Sequence, residues 1–212
     1  MNVYDPNFAR TDVLLRRGGH IGRGELVLYE FCTQHYDELK DFYTRFECQM
    51  VQHPDGFFYL LPRGNLIATR RLSKPCVHLG LFIALKARDP EITKSSGRIQ
   101  VAQLLQSIET TIPREVLQKT YAPKQREAAT DARITEEIQR ALRVLAELGF
   151  IVLEHDTVRP LEAIARFAEL ARHDNAPDDG ARILIETERG IVFDVSEDIT
   201  SEGEEDGEQI QN

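Results

Sequence analysis

Apolar and polar positions along the chain follow helical and strand periods that change at glycines and prolines. Asp5-Pro6 is a helix entry, and a short helix is predicted to about Arg17, where Gly18-Gly19 stops it. His20 to Gly24 (HIGRG) then forms a tight connection. Cys32, Tyr36, Leu39, Tyr43 and Phe46 recur at spacings of 4, 3, 4 and 3, which predicts one continuous amphipathic helix from about Glu25 to Phe46. Glu47 to Arg63 (ECQMVQHPDGFFYLLPR) predicts a β-hairpin. Pro54 presets φ for the first central turn position, Asp55 suits the next, and Gly56 supplies the positive φ that closes the turn. Phe57 to Leu61 is an uninterrupted apolar run that needs cover on both faces, and Pro62 ends it. Helix, helix, hairpin is the outline of a winged-helix unit with the hairpin as its wing.

The second half repeats the outline. Arg63 to Pro75 reads as a linker bounded by breakers, carrying basic residues and no acidic one. Residues 76 to 88 predict an apolar helix ended by Asp89-Pro90, and Val101, Leu104, Leu105 and Ile108 mark another. In the polar stretch 110 to 132, Pro113 signals a fresh helix start and Ala122-Pro123 a break. Ile134, Ile138, Leu142, Leu145 and Leu148 line one helix face, Gly149 caps it, and Phe150 to Asp156 is a strand. Thr157 to Pro160 leads back, and Leu161 to Ala171 predicts a closing amphipathic helix. The expected fold is α+β, mainly α: a first winged-helix domain over 1–64, a basic linker over 65–75 and a second winged-helix domain over 76–173. A flexible acidic tail follows over 174–212, with one short apolar segment (Ile183 to Ile185, Ile191 to Val195).

Composition sharpens this. The chain of 212 residues is 42% hydrophobic, enough to bury a sizeable core. Three isolated cysteines, Cys32, Cys48 and Cys76, read as reduced core residues of a cytosolic protein. No signal pattern opens the chain, and its longest apolar stretch is too short to span a bilayer, so no membrane partner is expected. Residues 196–212 carry seven acidic and no basic residues; removing them from the net charge of −9 leaves −2 for the rest. A nearly neutral body lacks the basic excess of a compact nucleic-acid binder, so any DNA contact must use a local patch.

Catalytic chemistry finds no anchor. No histidine pair has metal-ligand spacing, and Glu154-His155-Asp156 reads as a solvated strand-to-turn junction. The glycines around His20 lack both a preceding strand and a following Lys-Ser/Thr, and His20 reads as a turn residue whose ring bonds the backbone. The expectation is a non-enzyme without cofactor.

As a DNA reader the chain is poorly equipped. The helix over 134–148 exposes Arg140 and Arg143 against Glu136, Glu137 and Glu147, and the wing tip is His53-Pro54-Asp55-Gly56 instead of basic. An apolar wing marks a protein contact. Phe57, Phe58, Tyr59 and Leu60, with Tyr36 and Tyr43 of the long helix, are therefore expected at a subunit interface, with one of Phe57 and Phe58 facing outward.

Three stretches, Leu15 to Leu26 (LRRGGHIGRGEL), Phe42 to Gly64 (FYTRFECQMVQHPDGFFYLLPRG) and Arg143 to Glu169 (RVLAELGFIVLEHDTVRPLEAIARFAE), resemble the MukE-type subunits of bacterial SMC condensins and the related MksE subunits. The resemblance spans most of residues 6 to 172. It implies a non-catalytic tandem winged-helix protein, cytoplasmic and nucleoid-associated. Such a protein forms a homodimer and binds the kleisin that bridges the heads of an SMC ATPase, in a complex that entraps and compacts DNA. It further implies non-specific contact with the DNA backbone. Lys119, Lys124, Arg126, Arg133, Arg140 and Arg143 of the second unit, and Arg70, Arg71 and Lys74 of the linker, are the candidates. The rival readings are a stand-alone transcription regulator and the equivalent subunit of an SMC-type plasmid-defence complex.

Overall fold

The computed structural model describes residues 1–67, 71–90, 92, 97–123 and 130–170. It is an α+β structure, mainly helical, with two small antiparallel sheets. In the first unit, α1 (Pro6–Arg16) is capped by the Asp5 carboxylate, which accepts from the Asn7 N–H at 2.8 Å. β1 (Ile21–Gly22), α2 (Leu26–Gln34), α3 (Tyr36–Thr44), β2 (Cys48–His53) and β3 (Phe57–Pro62) follow, with sheet order β1-β3-β2. The hairpin turn closes as its residues dictate: Gly56 N–H donates to His53 O at 2.9 Å, with Gly56 at φ 88°.

The single long helix expected over 25–46 is two helices. His35, at φ −112° and ψ 24°, separates α2 from α3 while its N–H still donates to Phe31 O and its carbonyl accepts from Leu39 N–H. The ring bridges the break without capping either helix: Nδ1 lies 2.6 Å from Glu38 Oε2 in the first turn of α3, and the imidazole packs on Phe31 of α2. Periodicity survived the break because Cys32, Leu39 and Tyr43 are buried in one cluster on both sides of it.

The second unit repeats the order. α4 (Lys74–Lys86) is followed by β4 (Ile99–Gln100), α5 (Val101–Thr111), α6 (Arg114–Tyr121) and α7 (Thr130–Glu147); β5 (Ile151–Glu154) and β6 (Thr157–Pro160) close it, with sheet order β4-β6-β5. A 3₁₀ turn (Glu162–Ile164) and α8 (Ala165–Leu170) end the described chain. The extra helix α6 starts after Pro113, as its sequence indicates. Cys76 to Ala84 of α4 are all buried, so this helix is wrapped on every side, chiefly by α7 and α8. The predicted apolar segment at 183–195 and the acidic tail lie outside the described residues.

Strand β3 joins the halves. Its side chains alternate across the sheet: Phe58 and Leu60 enter the first unit's cluster, whereas Phe57 belongs to the second unit's core and Tyr59 packs against it. The second unit is what covers the other face of the hairpin.

Candidate functional site

The junction of the two units is built around His20. Its N–H donates to Leu148 O at 3.0 Å, and its ring Nδ1 lies 2.8 Å from the same carbonyl. A carbonyl only accepts, so Nδ1 carries the proton; Nε2 is then the acceptor for Arg166 Nη1 at 2.7 Å. Burial, reinforced by the Arg166 charge, pushes the His20 pKa down to about 3, and the ring is neutral. It is 4% exposed and packs among Phe57, Tyr59 and Phe150 at centroid distances of 5.8, 5.7 and 4.3 Å. Arg166 also lies over the Tyr59 ring at 4.1 Å. The expected backbone bond of the His20 ring is thus present, but its acceptor is 128 residues away in the other unit.

The surface expected to meet a partner is taken up inside the chain, Phe57 by the second unit's core and Phe58, Leu60 and Tyr43 by the first unit's own. Phe57, Phe58 and Tyr43 are 0% exposed and Leu60 8%, while Tyr59 and Tyr36 are half-buried, the Tyr36 hydroxyl donating to Met50 O at 3.3 Å. Neither Phe57 nor Phe58 faces outward, which corrects the expectation for the wing. Large apolar side chains exposed among the described residues are instead Val3, Tyr4, Val13, Leu26 and Val27 of the first unit and Leu66 just after it.

The basic candidates fare differently. Lys74 at the start of α4, Lys119 near the end of α6 and Arg133 on α7 line one hollow of about 800 Å³, together with Thr120, Tyr121 and Glu137. Two patches that lie far apart in sequence thereby become one. Tyr121 forms its inner wall and is held by the buried His78, whose Nδ1 lies 2.7 Å from the hydroxyl. The cations on α7 are balanced by the helix's own acids. Arg133 Nη1 and Nη2 lie 2.8 Å and 2.6 Å from Glu136 and Glu137, and Arg140 Nη1 lies 3.0 Å from Glu137. Arg143 Nε donates to Gln139 O at 3.3 Å, and Arg71 is exposed just ahead of α4. Arg70, Lys124 and Arg126 lie outside the described residues.

Among the described residues there is no group of three His, Cys, Asp or Glu placed to hold a metal ion, and no helix long and apolar enough to cross a membrane. The three thiols are buried, and burial pushes that of Cys32 up to about 12. Sequence reasoning missed Arg166 and the His20–Leu148 contact. Their one visible trace was glycine at 149, where a Cβ would stand 2.7 Å from His20 O.

The family model of the condensin complex protein MksE matches residues 6–172. The chromosome partition protein MukE of Escherichia coli K12 is 27% identical over 206 residues, covering 95% of this chain and 88% of that one. MukE of Vibrio cholerae is 28% identical over 169 residues, covering 78% and 73%. The match of that family model, which runs through both units, places the chain in the MksE family of condensin complex proteins.

Proposed function

We propose that this protein is a non-catalytic accessory subunit of a bacterial SMC–kleisin complex, acting in chromosome condensation and partition in the nucleoid. The two units are tandem winged helices, one over 1–64 and the other over 76–173, joined by a basic linker. The observation that carries the reading is their doubled topology, helix, strand, helices, hairpin with the first strand beside the last, in a chain of a condensin family. The named relatives are chromosome partition proteins, in keeping with that role.

Within such a complex the first unit makes the protein contacts. Homodimerisation and kleisin binding use its exposed apolar side chains, with Leu26 and Val27 adjacent at 59% and 58% exposure, in place of the buried wing. The SMC ATPase is engaged through the kleisin or its head and supplies the hydrolysis. The hollow of Lys74, Lys119 and Arg133, extended by Arg71, Arg140 and Arg143, contacts DNA phosphates. Phosphate contacts position a duplex without reading its sequence, so binding is non-specific and salt-dependent. Arg70, Lys124 and Arg126 are further candidates for phosphate contact, and the seven acids over 196–212 compete with phosphate for the cations.

Co-purification with a kleisin subunit from the same cell tests the protein contact. The wild type co-elutes as a dimer-containing complex, whereas Leu26→Asp/Val27→Asp elutes alone and folded. A variant that still dimerises and holds kleisin sinks this placement. For DNA, Lys74→Glu/Lys119→Glu lowers binding by the assembled complex at low salt about tenfold, uniformly across sequences. Unchanged binding removes the hollow from the interface.

A further inference from the structure

The sheet edges that meet at His20 leave a second feature that the assembly described above does not use. In sheet β4-β6-β5, β5 has a partner on one side only among the described residues. Its ladder can be read residue by residue. Leu161 N–H donates to Phe150 O, and Ile151, Val152, Leu153 and Glu154 face Pro160, Arg159, Val158 and Thr157. Hydrogen-bonded and non-bonded pairs alternate in an antiparallel ladder, so Ile151 and Leu153 are the non-bonded members. Pro160, which has no N–H to give, stands opposite the first of them. The N–H and C=O of Ile151 and Leu153 therefore point away from β6, and no backbone hydrogen bond reaches them among the described residues.

They point toward a cleft of about 290 Å³ whose other wall is the outer edge of β1 and the loop after it. The two edges touch at the His20–Leu148 bond and part beyond it. Leu14 and Leu161 give the cleft apolar walls, and Gly22 and Gly24 bring bare backbone to its side. All three consecutive residues Ile151, Val152 and Leu153 line it, as happens when access is along a strand's edge and not onto one face.

We infer that this cleft takes an extended segment of another protein as an added strand on β5. A helix has its own backbone groups already paired, whereas a strand offers the N–H and C=O groups that Ile151 and Leu153 lack. Charge selects the occupant. The lining acids are Glu25 and Glu147, both exposed, against Arg159, and His20 at the apex is neutral. An alternating apolar segment flanked by Lys or Arg complements that rim, whereas this chain's own C-terminal stretch, with seven acids over 196–212, is repelled by it.

The test uses the full chain and a fluorescein-labelled octapeptide, Lys-Val-Arg-Ile-Lys-Val-Arg-Ile, together with the same peptide N-methylated at alternate residues in either register. Fluorescence anisotropy should show saturable binding of the unmodified peptide. At least one methylated register should bind about tenfold more weakly, since it keeps the charge and loses two or more backbone bonds of about 1 kcal/mol each. Leu153→Pro, which deletes an outward N–H at a sheet edge where proline is tolerated, should weaken it similarly while keeping the melting temperature within a few degrees. Amide exchange at Ile151 and Leu153 should be fast in the free chain and slow with peptide bound. Equal binding of all three peptides reduces the effect to charge and overturns the proposal. Amides already protected in the free chain overturn it too, since the chain's own tail or a second copy then holds the cleft.

Discussion

A histidine carries the union of the two halves because its two ring nitrogens serve opposite roles. Neutral His20 donates to Leu148 O through Nδ1 and accepts from Arg166 through Nε2, and a proton on Nε2 would abolish the second contact. Its folded pKa, near 3, lies below the ordinary 6.5. The resulting stabilisation is complete above about pH 6.5, where both states are neutral, and is lost as the pH falls toward 3, where the unfolded chain takes up a proton that the folded chain refuses. Each such proton contributes a slope of about 1.4 kcal/mol per pH unit. His78, pushed down to about 4 by burial, adds to the same limb. His20→Asn keeps a donor near Nδ1 and should cost about 1–3 kcal/mol at pH 7, and urea unfolding between pH 6 and 4 should show a slope flatter by one proton. An unaltered acid limb would assign the titration to other groups. Gly149 is a second residue with two duties. It adopts φ 74° to cap α7, and its missing Cβ admits His20 O. Gly149→Ala should therefore cost about 2 kcal/mol or more, the sum of a left-handed alanine and a collision with backbone that has no side-chain freedom to yield. Thermal unfolding measures it.

At the scale of elements, α7 shows how a helix can carry arginines without a basic face. Glu137 is only 13% exposed and lies within 3.0 Å of both Arg133 and Arg140, so each guanidinium near the hollow is matched before any phosphate arrives. Such pairs contribute little to stability when exposed, and their larger effect is on what the cations can do elsewhere. Glu137→Gln should leave the melting temperature nearly unchanged, strengthen DNA binding by the assembled complex severalfold at low salt, and steepen its salt dependence. A loss of binding would show that Glu137 orients the arginines toward DNA instead of masking them. The mixed charges of α7 were legible in the sequence, as were the hairpin turn, the Gly149 cap and the start after Pro113. What escaped had no trace in periodicity or lay in distant contacts. The break at His35 was hidden because the periodicity of Cys32, Leu39 and Tyr43 passes straight through it. The basic hollow likewise joins Lys74 to Lys119 and Arg133 through folding alone.

At the scale of the molecule, the apolar run of β3 was correctly read as needing two covers, but the second cover is the other half of the same chain. Phe57 and Phe58 are adjacent, equally buried and of equal size, yet they belong to different cores. A strand that ends one unit's sheet and fills the next unit's core leaves neither unit with a complete interior of its own, and the bonds of His20 to Leu148 and Arg166 close the seam. The two units should therefore unfold as one. Calorimetry of the wild type should give a single transition. Phe57→Ala and Phe58→Ala, each removing about 3–5 kcal/mol, should both shift that whole transition downward, although they empty space in different cores. Removing the seam with His20→Ala/Arg166→Ala should broaden or split it, because the first unit can then melt while α4, α7 and α8 hold the second together. If Phe58→Ala alone produced an early, separate transition with the remainder unmoved, the halves would be independent folding units in contact, and the shared strand would be a joint between them and not part of both.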